Sequence, residues 1–136
     1  MKDTLQAGLT ETRRFLVDRE RTIDFMGENA RVYATPMLVR DIEVTCREFL
    51  LKHLDAGEDS VGTRVEVDHL AATLMGQNVD ISVSLAEVKG RAVVFEVSGH
   101  DGVDTICKGR HARFIVDVKS TEQRLAAKRA KAGLAS

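Results

Sequence analysis

Thr35-Pro36-Met37-Leu38-Val39-Arg40-Asp41-Ile42-Glu43-Val44-Thr45-Cys46-Arg47-Glu48-Phe49-Leu50-Leu51 is the one long segment ahead of the C-terminal tail that reads clearly as a helix. Thr35 has the hydroxyl of an N-cap, able to accept from a free N–H of the first turn. Pro36 suits the first helical position, where no N–H is needed. Leu38, Ile42 and Phe49, with Val39, Cys46, Leu50 and Leu54, recur at three- and four-residue steps and form one broad apolar arc. Arg40, Asp41, Arg47, Glu48 and Lys52 fall mostly outside it. Glu43 is the exception, set between Val39, Cys46 and Leu50 at the edge of the arc. Such a carboxylate either packs its stem and sends its head to water, or lines a site.

Around this helix the chain reads as strands and turns. Thr12–Val17 is a candidate first strand, and Arg19–Phe25 extends it or forms a loop. Downstream, Asp55–Ser60 is a polar loop, and a strand opens at Val61. Val65, Val67 and His69 alternate with Arg64, Glu66 and Asp68, which puts His69 on the core face. Val79, Ile81, Val83 and Leu85 mark the next strand, Lys89-Gly90 a tight hairpin, and Ala92–Val97 another strand. His100-Asp101-Gly102 reads as a turn rather than a catalytic dyad. A last strand runs from about Thr105 to Val118, with Gly109 marking a bulge or a close backbone approach. One helix with an apolar arc needs a single antiparallel sheet to cover it, so the expectation is an α+β domain with the sheet wrapped around a central helix. Residues 1–120 form this domain, and 121–136 form a basic, helix-prone tail with little to bury. So few strands leave a sheet face or edge open, which pairing with a second copy would close.

Composition narrows the function. The 136 residues are 43% hydrophobic and 30% charged, with a formal net charge of -1. This argues against a broad nucleic-acid surface. No apolar run approaches a membrane span, and the N-terminus lacks a signal-peptide apolar region, so a cytoplasmic location is expected. The two cysteines are far apart and the four histidines lack zinc spacing, so neither metal nor cofactor is expected.

The residues resemble a known family. Gly62-Thr63-Arg64-Val65-Glu66-Val67-Asp68-His69-Leu70-Ala71-Ala72-Thr73, Val88-Lys89-Gly90-Arg91, Ser98-Gly99-His100-Asp101-Gly102-Val103-Asp104-Thr105-Ile106 and Gly109-Arg110-His111-Ala112-Arg113 are similar to the fluoroacetyl-CoA thioesterase group of the hotdog fold. Ala34-Thr35 and Glu43-Val44-Thr45-Cys46 match in register, and the likeness spans about residues 30–118. It implies a homodimeric hydrolase cleaving a short acyl-CoA thioester. It further implies that Thr35, Glu43 and His69 carry the chemistry and that Gly62 and Arg113 contact substrate or CoA. Pro36 replaces the Gly that follows the Thr in the fluoroacetate enzyme, and Glu28–Tyr33 lacks its pocket-closing Phe-Pro pair. These departures argue against selection for a fluorinated acyl group.

The residue types suit that chemistry. Free N–H groups at the helix start can hold a developing oxyanion. Thr35 is a plain cap or the group that aligns the carbonyl. Glu43 can orient or deprotonate water, or attack the thioester itself. His69 is a satisfied core residue or a base near neutral pH. Arg113 holds a carbonyl or phosphate oxygen, or is a sheet cation paired with an acid. The competing functions are a non-catalytic acyl-CoA-binding module on the same fold and an acyl-CoA hydratase.

Overall fold

The computed structural model describes residues 1–135; Ser136, the last residue of the expected tail, lies outside the described residues. Five strands form one antiparallel sheet in the order β1-β3-β4-β5-β2. They are β1 (Thr10–Leu16), β2 (Glu58–His69), β3 (Asn78–Lys89), β4 (Ala92–His100) and β5 (Thr105–Asp117). Helix α1 (Thr35–Leu51) lies between β1 and β2 in the chain, and α2 (Val118–Lys131) follows β5. This is the hotdog arrangement, with the sheet curled around α1.

The apolar arc of α1 makes the core. Leu38, Ile42, Cys46, Phe49 and Leu50 are buried against Val79, Ile81, Val83, Leu85, Val93 and Phe95 of the sheet. Phe49 meets Phe95 edge-on with ring centroids 5.5 Å apart. Charged residues flanking the arc tie the helix to both edges of the sheet. Glu48 pairs with Arg13 and Lys52 with Glu11 of β1, while Arg47 grips Asp59 of β2 at 2.8 and 3.0 Å. Exposed pairs of this kind are individually weak. They set the helix's place in the groove more than they stabilise it.

Strand alternation carries the rest. The β3–β4 hairpin turns at Gly90, whose φ of 59° suits a residue without a Cβ. Gly109 is a close-approach site, because a Cβ there would overlap the Glu66 carbonyl of β2. The bulge lies elsewhere, between Gly62 and Arg64. Strand β2 begins at Glu58 rather than Val61, because pairing with Asp117 draws the polar loop into the ladder. Val65, Val67 and His69 oppose His111, Gly109 and Cys107. Both His111 and Cys107 are buried, so the inward face was read correctly. Val65 stays 37% exposed because β2 is an edge strand.

Two local expectations shift. Thr35 is the first helical residue, not the cap; extended Ala34 flanks the helix and offers no side-chain cap. The tail is a helix from Val118, capped by Asp117, which accepts from the Ser120 N–H at 2.9 Å. It buries no side chain.

Residues 17–34 form a strap over the start of α1. The Tyr33 N–H bonds the Thr73 carbonyl at 2.8 Å and the Ala34 N–H bonds the Arg21 carbonyl at 2.8 Å. The strap is locked by Asp41 of α1, which has no exposed surface. Arg21 forks onto it through Nε at 2.9 Å and Nη2 at 3.2 Å, and the Tyr33 hydroxyl donates to it at 2.5 Å. Removing one partner of such a cluster leaves the others buried and unpaired. Asp41→Ala should therefore cost about 3–5 kcal/mol, read as a lowered urea midpoint.

Candidate active site

Thr35 and His69 meet. The Thr35 Oγ1 lies 2.8 Å from His69 Nδ1, joining the first turn of α1 to the end of β2. The His69 Nε2 is buried and has no hydrogen-bond partner. Desolvation lowers the His69 pKa below its ordinary value, so the ring favours its neutral form. Both residues line a cavity of about 370 Å³ whose other walls are Ile23, Phe25, Val32, Tyr33, Leu70, Ala71 and Ala72.

The hydroxyl of Thr35 matters more here than helix N–H groups. Pro36 has none to give, and the N–H groups of Met37 and Leu38 both bond the Ala34 carbonyl at 3.0 Å. The expectation of several free first-turn donors is thus reduced to Thr35.

Glu43 stands apart from that pair. Eight residues separate it from Thr35, about 12 Å along the helix axis. Its Oε2 lies 3.6 Å from Arg113 Nη1, and its side chain is 42% exposed. Gly62 completes this second group: a Cβ there would sit 3.1 Å from Glu43 Oε2, 3.2 Å from His111 Cε1 and 3.5 Å from Arg113 Nη1. Glu43 and Arg113 line a separate cavity of about 310 Å³ with Pro36, Val39, Arg40, Val44 and Arg47. Within one chain these residues therefore form two separate groups, Thr35–His69 and Glu43–Gly62–Arg113. Both lie along β2. A larger concavity of about 560 Å³, between Thr12, Ser82, Glu96 and Arg110 on the opposite face of the sheet, contains none of these residues.

Arg113 is only 4% exposed, which rules out a sheet-surface cation. Its Nε donates to Ser60 Oγ and its Nη2 to the Ser60 carbonyl, each at 2.8 Å. Its Nη1 lies 3.1 Å from His111 Nε2. His111 Nδ1 lies 2.8 Å from the Arg64 carbonyl. Since a carbonyl only accepts and a guanidinium only donates, His111 is neutral with its proton on Nδ1. Burial lowers the pKa of both groups. The charge of Arg113 is thus fixed by neutral partners, and its free edge faces the Glu43 carboxylate.

The family model described as FlK, fluoroacetyl-CoA-specific thioesterase, matches residues 17–119. The chain belongs to this family. Its enzyme class is thioester hydrolase. The fluoroacetyl-CoA thioesterase of Streptantibioticus cattleyicolor is 34% identical over 126 residues, 88% of this chain and 91% of that protein. A crystal structure of a single-residue variant of the fluoroacetyl-CoA-specific thioesterase FlK superposes with a TM-score of 0.86 at 32% identity, covering 93% of this chain and 99% of that one. A Thermus thermophilus hypothetical protein of the thioesterase superfamily gives a TM-score of 0.84 at 27% identity, over 96% and 98% of the two chains.

Within this FlK-family chain, sequence reasoning missed Ser60 as the support of Arg113, and Asp41 and Tyr33 behind His69. A serine beside Asp59 carries no local signal of that role. Among the described residues no three His, Cys, Asp or Glu side chains gather as a metal site, and no helix is long and apolar enough to cross a membrane.

The close packing at Gly62 gives a direct check. Gly62→Ala should displace the flexible Glu43 carboxylate at a stability cost of about 1 kcal/mol or less. Thermal unfolding should then barely move while turnover falls severalfold.

Proposed function

We propose that the protein hydrolyses a short or small acyl-CoA thioester to the free acid and CoA, with Thr35, Glu43 and His69 as its catalytic group. The observation that carries this reading is the Thr35–His69 contact on the wall of a largely apolar cavity, with the buried Nε2 of His69 left without a partner. With Nδ1–H donating to Thr35 Oγ1, the Nε2 lone pair is free to take a proton from water. The Thr35 O–H is then free to donate to the thioester carbonyl oxygen. Hydroxide adds to the carbonyl carbon, and the oxyanion is held by Thr35. Collapse breaks the C–S bond, and the departing CoA thiolate takes the proton back from the imidazolium. Glu43, steadied by Arg113, orients the water.

Glu43 has to reach the same water from another half-site, and a homodimer supplies the route. Strand β2 is a twelve-residue edge carrying exposed Val61 (46%) and Val65 (37%). An unpaired edge of this length invites pairing. Antiparallel pairing of two β2 strands about a two-fold axis near Val65 and Glu66 sets Gly62 of one protomer opposite the partner's His69. Glu43, Gly62 and Arg113 would then face the partner's Thr35 and His69 across the seam. CoA would enter along that seam. Several walls of the His69 cavity are large and apolar, among them Ile23, Phe25 and Leu70. This supports a small or branched apolar acyl group and gives no special place to fluorine.

The primary test is CoA release from acetyl-, fluoroacetyl-, branched and aromatic acyl-CoAs by the purified protein. Turnover on at least one is expected, and a flat zero across the panel would favour the binding-module reading. Glu43→Gln and His69→Ala should each lower kcat by about two to four orders of magnitude. Mixing those two variants after dissociation tests the shared site. Random reassociation should restore roughly a quarter of wild-type activity, because half the dimers are mixed and one of their two sites is intact. Sites contained within one chain would restore none.

The pH profile follows from the burial of His69. A base works when neutral, and desolvation holds its pKa below the ordinary 6.5. The acid limb of kcat should therefore fall below that value.

A further inference from the structure

We infer that Tyr33 is a positioning residue for the hydrolysis: its ring, anchored through its hydroxyl to Asp41 and Arg21, fixes the plane of the His69 imidazole and screens it from bulk water. The inference rests on the reading of His69 as the base.

The geometry is specific. Tyr33 is 2% exposed, and its ring meets the His69 ring edge-on, with centroids 6.2 Å apart and planes at 79°. Edge-to-face contact of this kind prefers a definite orientation. The ring is itself held at two points. Its backbone N–H bonds the Thr73 carbonyl at 2.8 Å, and its hydroxyl donates to Asp41 Oδ2 at 2.5 Å. Arg21 Nε shares that oxygen at 2.9 Å. Asp41 lies on the same helix as Thr35, so the anchor and the Thr35 hydroxyl move as one body. The imidazole is thus fixed on one side by the Thr35 hydrogen bond and on another by the ring.

The hydroxyl of Tyr33 is committed to a buried carboxylate, and burial with that hydrogen bond raises its pKa. It is therefore no proton donor to substrate. The ring shares the screening of His69 with apolar neighbours. The strap and the loop after β2 present Ile23, Phe25, Leu70 and Ala71 to the same cavity, none of them titratable. Cys107 lies opposite on β5, and burial pushes its thiol up to about 11, so it stays uncharged. Behind the ring Asp41 and Arg21 neutralise each other, and the neighbouring pair Asp68 and Lys108 lies in register on β2 and β5. The lowered pKa of His69 has desolvation as its cause, and the Tyr33 ring is part of what excludes the water.

Three variants test this, each first verified as folded by circular dichroism and thermal melting. Tyr33→Phe keeps the ring but gives up its anchor on Asp41, so it should lower the melting temperature and reduce kcat by about three- to fivefold, less than loss of the ring does, with the acid limb unmoved. Tyr33→Leu removes the ring and should lower kcat roughly ten- to a hundredfold with KM little changed. Water reaching the imidazolium should also raise the His69 pKa and shift the acid limb to higher pH. Tyr33→Met, a flexible apolar filler, should behave as Leu does and replaces it if Leu fails to fold. Leu and Met variants with the kcat and pH profile of the Phe variant would overturn the inference, leaving the base reading intact as long as His69→Ala is inactive. Wild-type turnover in His69→Ala would instead remove the base, and the inference with it.

Discussion

A carboxylate with no exposed surface can persist only where its charge and lone pairs are met, and Asp41 is met by the fork of Arg21 and the hydroxyl of Tyr33. The three residues come from two different places: Asp41 from the second turn of α1, the others from the strap that crosses its start. Held together, they decide where the first helical turn sits against β2. Apolar residues of the same shape would give similar or greater stability. What the charged cluster adds is a single arrangement of strap and helix, and the first turn of α1 depends on that arrangement for its contact with His69.

From there the molecule is organised along one edge. Thr35 and His69 lie at one end of β2, Glu43, Gly62 and Arg113 nearer its middle, and no strand of the chain covers the outer side. A long bare edge is ordinarily a hazard for a soluble protein. Here the bare edge and the proposed site share one strand. The bulge at Gly62 and Arg64 also interrupts the alternation there, where the glycine gives the Glu43 and Arg113 side chains room to approach.

The fold was largely legible because its signals are local. The three-to-four spacing from Leu38 to Leu50 gave α1 within a residue, and alternation in Val79–Leu85 gave the inward face of β3. Gly109 reads as a bulge or a close approach because a strand has few other uses for a glycine, and the structure selects the close approach. Long-range pairing was not legible. Asp41 was placed outside the apolar arc, since nothing near it in sequence announces Arg21 twenty residues away. Spacing alone leaves Thr35 a cap or a site residue, because a hydroxyl that serves a helix end and one that serves a histidine on a distant strand look the same in one dimension. Arg113 could not be separated from a surface cation, because its neutral partners, Ser60 and His111, become its neighbours only through the β2–β5 ladder. The start of β2 was missed for the same reason, its polar residues being strand only by virtue of what they pair with.

Helix α2 is attached to all this by its first turn alone. The Val118 N–H bonds the Gly57 carbonyl and Asp117 caps the start, and beyond them no side chain is buried. Lys119, Arg124, Lys128, Arg129 and Lys131 give it a positive surface. Such an appendage is under little steric constraint from the sheet. Its length, its charge or a module fused to it can be changed while β2 keeps its shape, so what the protein adheres to or carries can be altered here at least cost to the sheet.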